Sequence, residues 1–278
     1  MASITTTLET AVIKKLGLLK WLAGSLLASS AAFVAQPVLA QQATDMQKIL
    51  SSKVVRVGAI EAFPYYKHDL AVGKWVGVIP EMMELMFGAI GVKVEYVTTD
   101  WGNASAGLQS NRFDVVGGYN ATPQRALAID FSAPISESRI GILTLKEPPT
   151  SYSQWSTLNT PEFKVAAVDG ASTTRAAQKV LPNASWTLVK ASNAMVMELE
   201  SGRVDAMVSN HPTLMLYKQS KGAGTMVIPT PVVASPVNIA MRKNSGDLRD
   251  WMNVAIQYYQ ADGSFKAIWD KYLPEQQK

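Results

Sequence analysis

Along most of this chain, short apolar stretches with the residues of β-strands alternate with longer stretches of helical spacing, and this alternation constrains the fold most. The first series predicts strands over residues 53–60, 92–98 and 113–118, with helices over 80–90 and 101–110 between them. Strands that alternate with helices of this length form a mostly parallel sheet with helices on both faces. The sequence therefore predicts an α/β fold.

A second series begins after Glu147-Pro-Pro-Thr150, which has the composition of a linker. It predicts strands over 164–168, 185–190 and 204–209, with helices that start at the caps Ser172 and Ser192 and at about Pro212. The remaining residues predict a strand over 238–242 and helices over 248–259 and 264–272. This order predicts a chain that leaves a first domain, builds a second and returns.

The segment Gly118-Tyr-Asn-Ala-Thr-Pro-Gln-Arg125 joins the third strand to a helix start. Thr122 is suited to the N-cap, and Pro123 occupies the first turn, where its missing N–H costs nothing. Free backbone N–H groups and the positive end of the helix dipole meet there, and the planar guanidinium of Arg125 matches a carboxylate. The segment predicts a receptor for a small anion. An ordinary capped helix with a solvated arginine is the alternative.

Residues 1–40 have the features of an export signal. Lys14, Lys15 and Lys20 precede or border an apolar stretch over 21–34, and Val38-Leu-Ala40 offers a cleavage site. Cleavage after Ala40 predicts a secreted, periplasmic protein, and an uncleaved membrane anchor is the alternative.

The composition excludes several classes of chemistry. The chain has no cysteine, which excludes disulfides, thiolate catalysis, zinc–thiolate sites and a lipid-modified cysteine. The 26 basic against 22 acidic residues give a charge too small to predict nucleic-acid binding. The two histidines, His68 and His211, have no partner at metal-binding or catalytic spacing. We expect no metal and no cofactor.

The Gly118-x-x-x-Thr-x-x-Arg125 segment is followed by Asp130-Phe-Ser-x-Pro134, and the two together resemble the signature of the periplasmic solute-binding proteins that serve polar amino-acid ABC transporters, the family 3 extracellular solute-binding proteins. The resemblance extends over nearly all of residues 53–274. It implies two lobes, each a mostly parallel sheet flanked by helices, joined by two crossing strands near 142–146 and 229–234.

The resemblance also implies how the chain is divided and what it does. The expected parts are a signal peptide at 1–40, a first lobe over 45–143 and 233–278, and a second lobe over 144–232. The expected function is capture of a small carboxylate-bearing solute, an amino acid or a derivative, and its delivery by lobe closure to an ABC permease in the inner membrane. We expect a monomer.

Ligand-binding roles follow from the same resemblance. Arg125 matches the family's carboxylate clamp and Thr122 its hydroxyl donor, with Gly118 and Asn120 beside them. In the second lobe, Asp169-Gly-Ala-Ser-Thr-Thr174 resembles a turn that offers N–H and hydroxyl groups to the same carboxylate.

Two points about these residues stay open in the sequence. The extra Ala171 blurs the register of the turn, so Ser172 and Thr173 compete for the contact, and Ser172 has a plain N-cap as its alternative. Tyr65 and Trp101 occupy positions where the family places aromatic walls, and Tyr119 is a candidate third wall. The alternative for each aromatic residue is a place in the core.

One position departs from the family pattern. Val204-Asp-Ala-Met-Val-Ser-Asn-His-Pro212 resembles a strand that ends in Asp-Ala-x-x-x-Asp-x-Pro, whose second aspartate neutralises the ligand's α-amino group. That aspartate is Asn210 here, and an amide brings no charge. We expect a solute whose amine is absent, modified or bound elsewhere. The alternative is an ordinary α-amino acid held by Glu61 or Asp169.

A periplasmic enzyme of the same fold, similar to the cyclohexadienyl dehydratases, is the alternative function. Its chemistry needs a carboxyl with a raised pKa in a desolvated pocket, for which Glu81, Glu137 and Asp169 are the candidates. No diagnostic motif contains any of them. We expect a binding protein with no catalytic residues.

Overall fold

The computed structural model describes residues 43–146 and 150–273, so the expected signal peptide and most of the linker-like segment lie outside the described residues. The strands are β1 (Val54–Ile60), β2 (Lys67–Asp69), β3 (Lys74–Val76), β4 (Lys93–Thr99), β5 (Val115–Asn120), β6 (Ile129–Phe131), β7 (Ser136–Thr144), β8 (Lys164–Val168), β9 (Ser185–Val189), β10 (Ala206–Asn210), β11 (Thr225–Val227) and β12 (Ala234–Arg242). The α-helices are α1 (Asp45–Ser52), α2 (Val78–Gly88), α3 (Ala104–Gln109), α4 (Pro123–Ala126), α5 (Trp155–Leu158), α6 (Ser172–Val180), α7 (Ser192–Glu200), α8 (His211–Lys221), α9 (Gly246–Ala261) and α10 (Ser264–Tyr272).

The first lobe is built on a sheet in the order β4-β1-β5-β12, with β6 also paired to β12. β1 runs parallel to both β4 and β5, while β12 is antiparallel to β5 and β6. Buried side chains cover both faces of this sheet, mainly from α2, α9 and α10 on one face and from α3 on the other. The predicted α/β alternation of the first series is confirmed.

The second lobe repeats this arrangement. Its sheet has the order β9-β8-β10-β7, with β11 also paired to β7. β8 is parallel to β9 and β10, and β7 is antiparallel to β10 and β11. Two further buried clusters pack on it, one with α5 and α6 and the other with α7 and α8.

The strand β7 belongs to both lobes. Its first half, through Arg139, pairs with β12, and its second half, from Ile140, pairs with β10. The crossing therefore lies between Arg139 and Ile140, earlier than the expected segment 142–146, because β7 continues as one strand after it changes sheet. The N–H of Ile140 donates to the carbonyl of Val233 at 2.9 Å, so the returning segment crosses beside it, as expected.

Two expected helix caps are wrong. Ser172 and Ser192 are the first residues of α6 and α7, and the N-cap positions belong to Ala171 and Ala191, which make no side-chain capping bond. The hydroxyl of Ser172 instead donates a hydrogen bond to Oδ1 of Asn120 in the first lobe. A tertiary contact has replaced the local bond that the sequence pattern favoured.

Candidate functional site

The site begins where β5 enters α4. All six residues of β5 are buried, and Gly118 has a φ of +70°, a conformation that favours glycine. A Cβ at Gly118 would also lie 3.1 Å from Cδ1 of Tyr65. Thr122 is the N-cap of α4, its Oγ1 accepts from the N–H of Arg125 at 3.2 Å, and Pro123 follows in the first turn. The predicted capped helix start is confirmed.

Arg125 is buried, with 8% of its surface exposed. Its Nη1 donates to the carbonyl of Asn120 at 3.0 Å, and its Cζ lies 3.8 Å from the ring centre of Tyr119. The Nη2 atom is buried and has no hydrogen-bond partner. Burial lowers the pKa of Arg125 to about 10, with a further lowering from Arg175 and an opposing effect of Tyr119, so the guanidinium is charged at neutral pH. Arg125 thus offers a buried positive donor to an anion.

Tyr119 supports this guanidinium. Its ring stacks near-parallel with Trp101, at 6.1 Å and 11°, and with Phe131, at 6.4 Å and 14°. Its hydroxyl donates to the carbonyl of Trp101 at 3.1 Å. Tyr119 is almost fully buried in this cluster, and it is outside the lining of the cavity described next.

A cavity lies between the lobes, and we call it the central cavity. The space open to the centres of water molecules within it is about 30 Å³, which is room for roughly one or two waters. Seven of the predicted ligand-binding residues line it, namely Tyr65, Trp101, Gly118, Asn120, Ser172, Thr173 and Asn210. A solute of amino-acid size can therefore enter only when the lobes separate.

Thr122 and Arg125 border a second space on the other side of Ser172, which we call the adjoining cavity. Its volume by the same measure is about 450 Å³, and Arg175 and Lys179 also line it. Because Ser172 lines both cavities, the junction of β5 and α4 faces the start of α6 across the cleft.

Asn120 connects the two lobes. The Ser172 hydroxyl donates to Asn120 Oδ1 at 2.8 Å, while Asn120 Nδ2 donates to Ser235 Oγ at 3.1 Å and to the carbonyl of Pro236 at 2.8 Å. Of the two competing residues, Ser172 makes this bond, and Thr173 is buried in the cavity wall beside it. The lobes also meet at two glycines, where a Cβ on Gly170 would lie 2.8 Å from the backbone nitrogen of Gly102.

Asn210, where the family pattern has an acid, is the N-cap of α8. Its Oδ1 accepts from the N–H of Thr213 at 3.0 Å. The two acids that could replace it lie outside the central cavity lining. Glu61 accepts from the N–H of His68 at 3.0 Å, and Asp169 is paired with Lys190 at 2.8 Å, a hydrogen bond that lowers the pKa of Asp169.

Several lining residues were missed in the sequence, including Ser138, Ser192, Ser209 and Thr213. Ser138 is the most notable, since it is 2% exposed and its Oγ has no hydrogen-bond partner. It lies in β7 just before the crossing, and a single serine in a strand carries no signal of its own. Ser192 could have been found, because it starts a helix after a strand as Ser172 does.

The candidate catalytic acids do not converge on the cavity. Glu81 is paired with Lys271, and Glu137 is exposed and lies 3.4 Å from Arg139. Asp169 has a lowered pKa, opposite to what a general acid needs at neutral pH. Within residues 43–146 and 150–273, no group of three or more potential ligands is arranged to hold a metal. In the same residues, no helix is both long and apolar enough to cross a bilayer.

Comparison with known proteins agrees with this architecture. Residues 55–275 match the family described as bacterial extracellular solute-binding proteins, family 3. The L-cystine-binding protein TcyA of Bacillus subtilis is 27% identical over 78% of this chain and 79% of its own. The probable histidine-binding protein of Neisseria gonorrhoeae is 25% identical over 92% and 96% of the two chains.

Solved structures show the same two-lobed fold. An ancestral amino acid-binding protein described as a precursor of cyclohexadienyl dehydratase is 29% identical, covers 83% of this chain and 99% of its own, and has a TM-score of 0.76. A lysine complex of a putative ABC transporter binding component from Wolinella succinogenes, 22% identical over 81% and 97% of the two chains, has a TM-score of 0.75 and supports the fold alone. The chain belongs to the bacterial extracellular solute-binding proteins, family 3.

Proposed function

We propose that this chain is the substrate-binding subunit of an ABC importer and that Arg125 holds the carboxylate of its solute. One observation carries the proposal: a charged guanidinium is buried at the cleft with Nη2 unpaired. A buried donor without an acceptor is costly, and a carboxylate oxygen would satisfy it. The names of several relatives, which include cystine-, histidine- and arginine-binding proteins, support an amino acid or a derivative as the solute.

The other predicted residues have distinct proposed roles. Gly118, Asn120, Thr122, Ser172 and Thr173 surround the carboxylate with backbone and side-chain donors. Tyr65 and Trp101 are the walls along the body of the solute. Tyr119 packs its ring against the guanidinium of Arg125. Asn210, in the second lobe, contacts the end of the solute that lies away from Arg125.

Lobe closure couples binding to transport. The solute first contacts the lobe that carries Arg125, and it gains Ser172 and Thr173 only when the second lobe arrives, so binding shifts the equilibrium toward the closed form. The closed form is delivered to a permease in the inner membrane. We place the boundary between the lobes within β7, between Arg139 and Ile140, and at the segment before β12, and the molecule bends at these two places.

The protein acts in the periplasm as a monomer, after removal of residues 1–40, and it needs no cofactor. Binding without catalysis is favoured over a dehydratase because Glu81 and Asp169 are engaged by lysines and Glu137 is exposed. Incubation of the pure protein with prephenate or arogenate tests the alternative. An aromatic product, absent when heat-treated protein is used, would establish the enzyme.

The main experiment is calorimetric titration with a panel of α-amino acids, the 2-hydroxy acids of the same side chains, and N-acetyl amino acids. For the tightest-binding compound, we expect Arg125→Ala to reduce affinity by about a hundredfold or more, because loss of one partner of a buried charge pair costs about 3 to 5 kcal/mol. The control is Arg112→Ala, which removes an exposed arginine of the same lobe. Equal affinity of the Arg125→Ala variant and the unmodified protein would contradict the proposed function.

A further inference from the structure

From the charges around the cleft, we infer that the solute is a carboxylate without a free ammonium group, such as a hydroxy acid or an N-acylated amino acid. The inference rests on the proposed function, in which Arg125 binds the carboxylate, and it concerns the part of the solute that lies in the central cavity.

The lining of the central cavity is polar but uncharged. Within the described residues, no aspartate, glutamate, lysine or arginine lines it. Apart from the Trp101 indole, its polar side chains carry hydroxyls and amides, among them Asn120, Ser138, Ser172, Thr173 and Asn210. A buried ammonium would face hydrogen-bond acceptors there but no negative charge to compensate for its lost hydration.

The charged side chains that line the adjoining cavity are positive, whereas an ammonium needs a negative partner. The adjoining cavity is lined by Arg125, Arg175 and Lys179, and no acidic residue of the described chain lines it. Arg175 is close enough to Arg125 to lower its pKa. The cleft therefore favours a solute with net negative charge.

The acids nearest in sequence to the lining residues are engaged by other groups. Asp169 pairs with Lys190, and Asp100 accepts from the backbone N–H and the side-chain amide of Asn103 at 2.9 and 2.7 Å. Glu61 borders a separate groove with Phe63 and Lys67, and its carboxylate accepts from the N–H of His68. None of the three is in the central cavity lining, and neither is Glu137, the neighbour of Ser138, which is exposed and lies 3.4 Å from Arg139.

Asn210 presents a hydrogen-bond donor in the wall of the central cavity. Its Oδ1 must be the atom that accepts from the N–H of Thr213, which fixes the orientation of the amide and makes Nδ2 a donor. Nδ2 has no hydrogen bond to a described residue. Aspartate caps a helix as well as asparagine does, so the cap itself does not require the amide. A donor at this position in the wall can bind a hydroxyl or carbonyl oxygen of the solute, but it cannot bind an ammonium, which is itself a donor.

Ser138 adds an independent observation. Its Oγ is buried in the cavity wall without a partner, and a hydroxyl can both donate and accept. Such a group can complete its hydrogen bonds with a hydroxyl or an amide of the solute, neither of which needs a counter-charge. Tyr65 and Trp101 attract cations through their ring faces, but this attraction is weaker than a hydrogen-bonded charge pair.

The test compares compounds that differ only at the group in question, with the panel described above titrated into the full secreted protein. We expect a 2-hydroxy or N-acetyl acid to bind at least about tenfold more tightly than the α-amino acid with the same side chain. A free α-amino acid that binds more tightly than both of its counterparts, with affinity dependent on Arg125, would overturn the inference and leave the proposed function standing. Binding of no compound in the panel would contradict the proposed function itself, and the inference with it.

The variant Asn210→Asp tests the residue that carries the inference. We expect it to retain the cap and the thermal stability, while the preference shifts by about tenfold or more toward the free α-amino acid, since the new carboxylate can pair with an ammonium. Asn183→Asp is the matched control, because it adds the same charge at an exposed position outside the cavity lining. An unchanged preference in a folded Asn210→Asp protein would overturn the inference.

Discussion

The guanidinium of Arg125 lies over the ring of Tyr119, with its Cζ 3.8 Å from the ring centre, and this contact decides where the positive charge sits in the cleft. The ring lies near-parallel to those of Trp101 and Phe131, so the arginine packs against a cluster of three aromatic rings. Burial of such a charge is unfavourable, and the face of an aromatic ring offsets part of the cost.

We expect Tyr119→Leu to weaken binding of the tightest panel compound roughly tenfold, since a desolvated cation–π contact is worth about 1 to 2 kcal/mol. Tyr119→Phe is the control, because it keeps the ring and loses only the hydroxyl, with its hydrogen bonds to the carbonyl of Trp101 and to Ser105 Oγ. Titration calorimetry on both variants separates the two contributions. If the Phe variant loses as much affinity as the Leu variant, the hydroxyl matters and the ring contact does not.

Some site residues carry a signal in the sequence and others do not. Thr122 and Arg125 lie in a local pattern of strand, cap and helix, and Asn210 stands out because it replaces an acid in a recognisable strand ending. Ser138 has no such pattern, since its place in the cavity depends on the pairing of β7 with β12. A contact between residues far apart in the chain cannot be seen in local spacing.

The element that positions Arg125 is α4, a helix of only four residues. A helix of one turn gains little from its own hydrogen bonds, so its cap and its tertiary contacts hold it in place. Thr122 supplies that cap, and the hydroxyl bond ends on the N–H of Arg125 itself.

Loss of this cap should loosen both the helix and the clamp. We expect Thr122→Ala to lower the free energy of unfolding by about 1 kcal/mol, whereas Thr122→Ser, which keeps a capping hydroxyl, stays close to the unmodified protein. Urea denaturation curves give both values. An Ala variant as stable as the Ser variant would show that tertiary contacts alone hold α4.

The predicted elements have the observed order and type, because the period of the apolar residues reflects burial directly. The sequence pattern predicts none of the elements α1, α5, β2, β3, β6 and β11, which are too short to show a period. The expected strand over 164–168 and the helix over 264–272 match β8 and α10 in full. Helix starts are less predictable: α3 begins at Ala104, after the expected Trp101, because the ring of Trp101 packs against the buried clusters of both lobes. The crossing lies earlier in β7 than the sequence predicts, because a strand that changes partner shows no change in its own residues.

Closure of the cleft depends on how closely the two lobes can approach each other. Gly170 and Gly102 meet across the cleft, and a Cβ on Gly170 would lie 2.8 Å from a backbone nitrogen and 2.9 Å from a backbone Cα of Gly102. Backbone atoms cannot move aside as the end of a flexible side chain can.

We expect Gly170→Ala to disfavour the closed form, with a larger radius of gyration in X-ray solution scattering and roughly tenfold weaker binding. Gly202→Ala is a matched control, since Gly202 has a φ of +71°, close to the +76° of Gly170, but a Cβ there meets nothing within 4 Å. Both variants carry the strain of a positive φ, so only the contact distinguishes them. An equal loss of affinity in both would assign the effect to strain.

The strand β7, which both sheets share, affects how the two lobes unfold. Each lobe has buried clusters of its own, which would allow two separate melting events. Yet β7 gives its first half to one sheet and its second half to the other, so disruption of either sheet removes a strand from its neighbour. Differential scanning calorimetry should accordingly record a single heat-absorption peak for both lobes, with two resolved peaks as the contrary result.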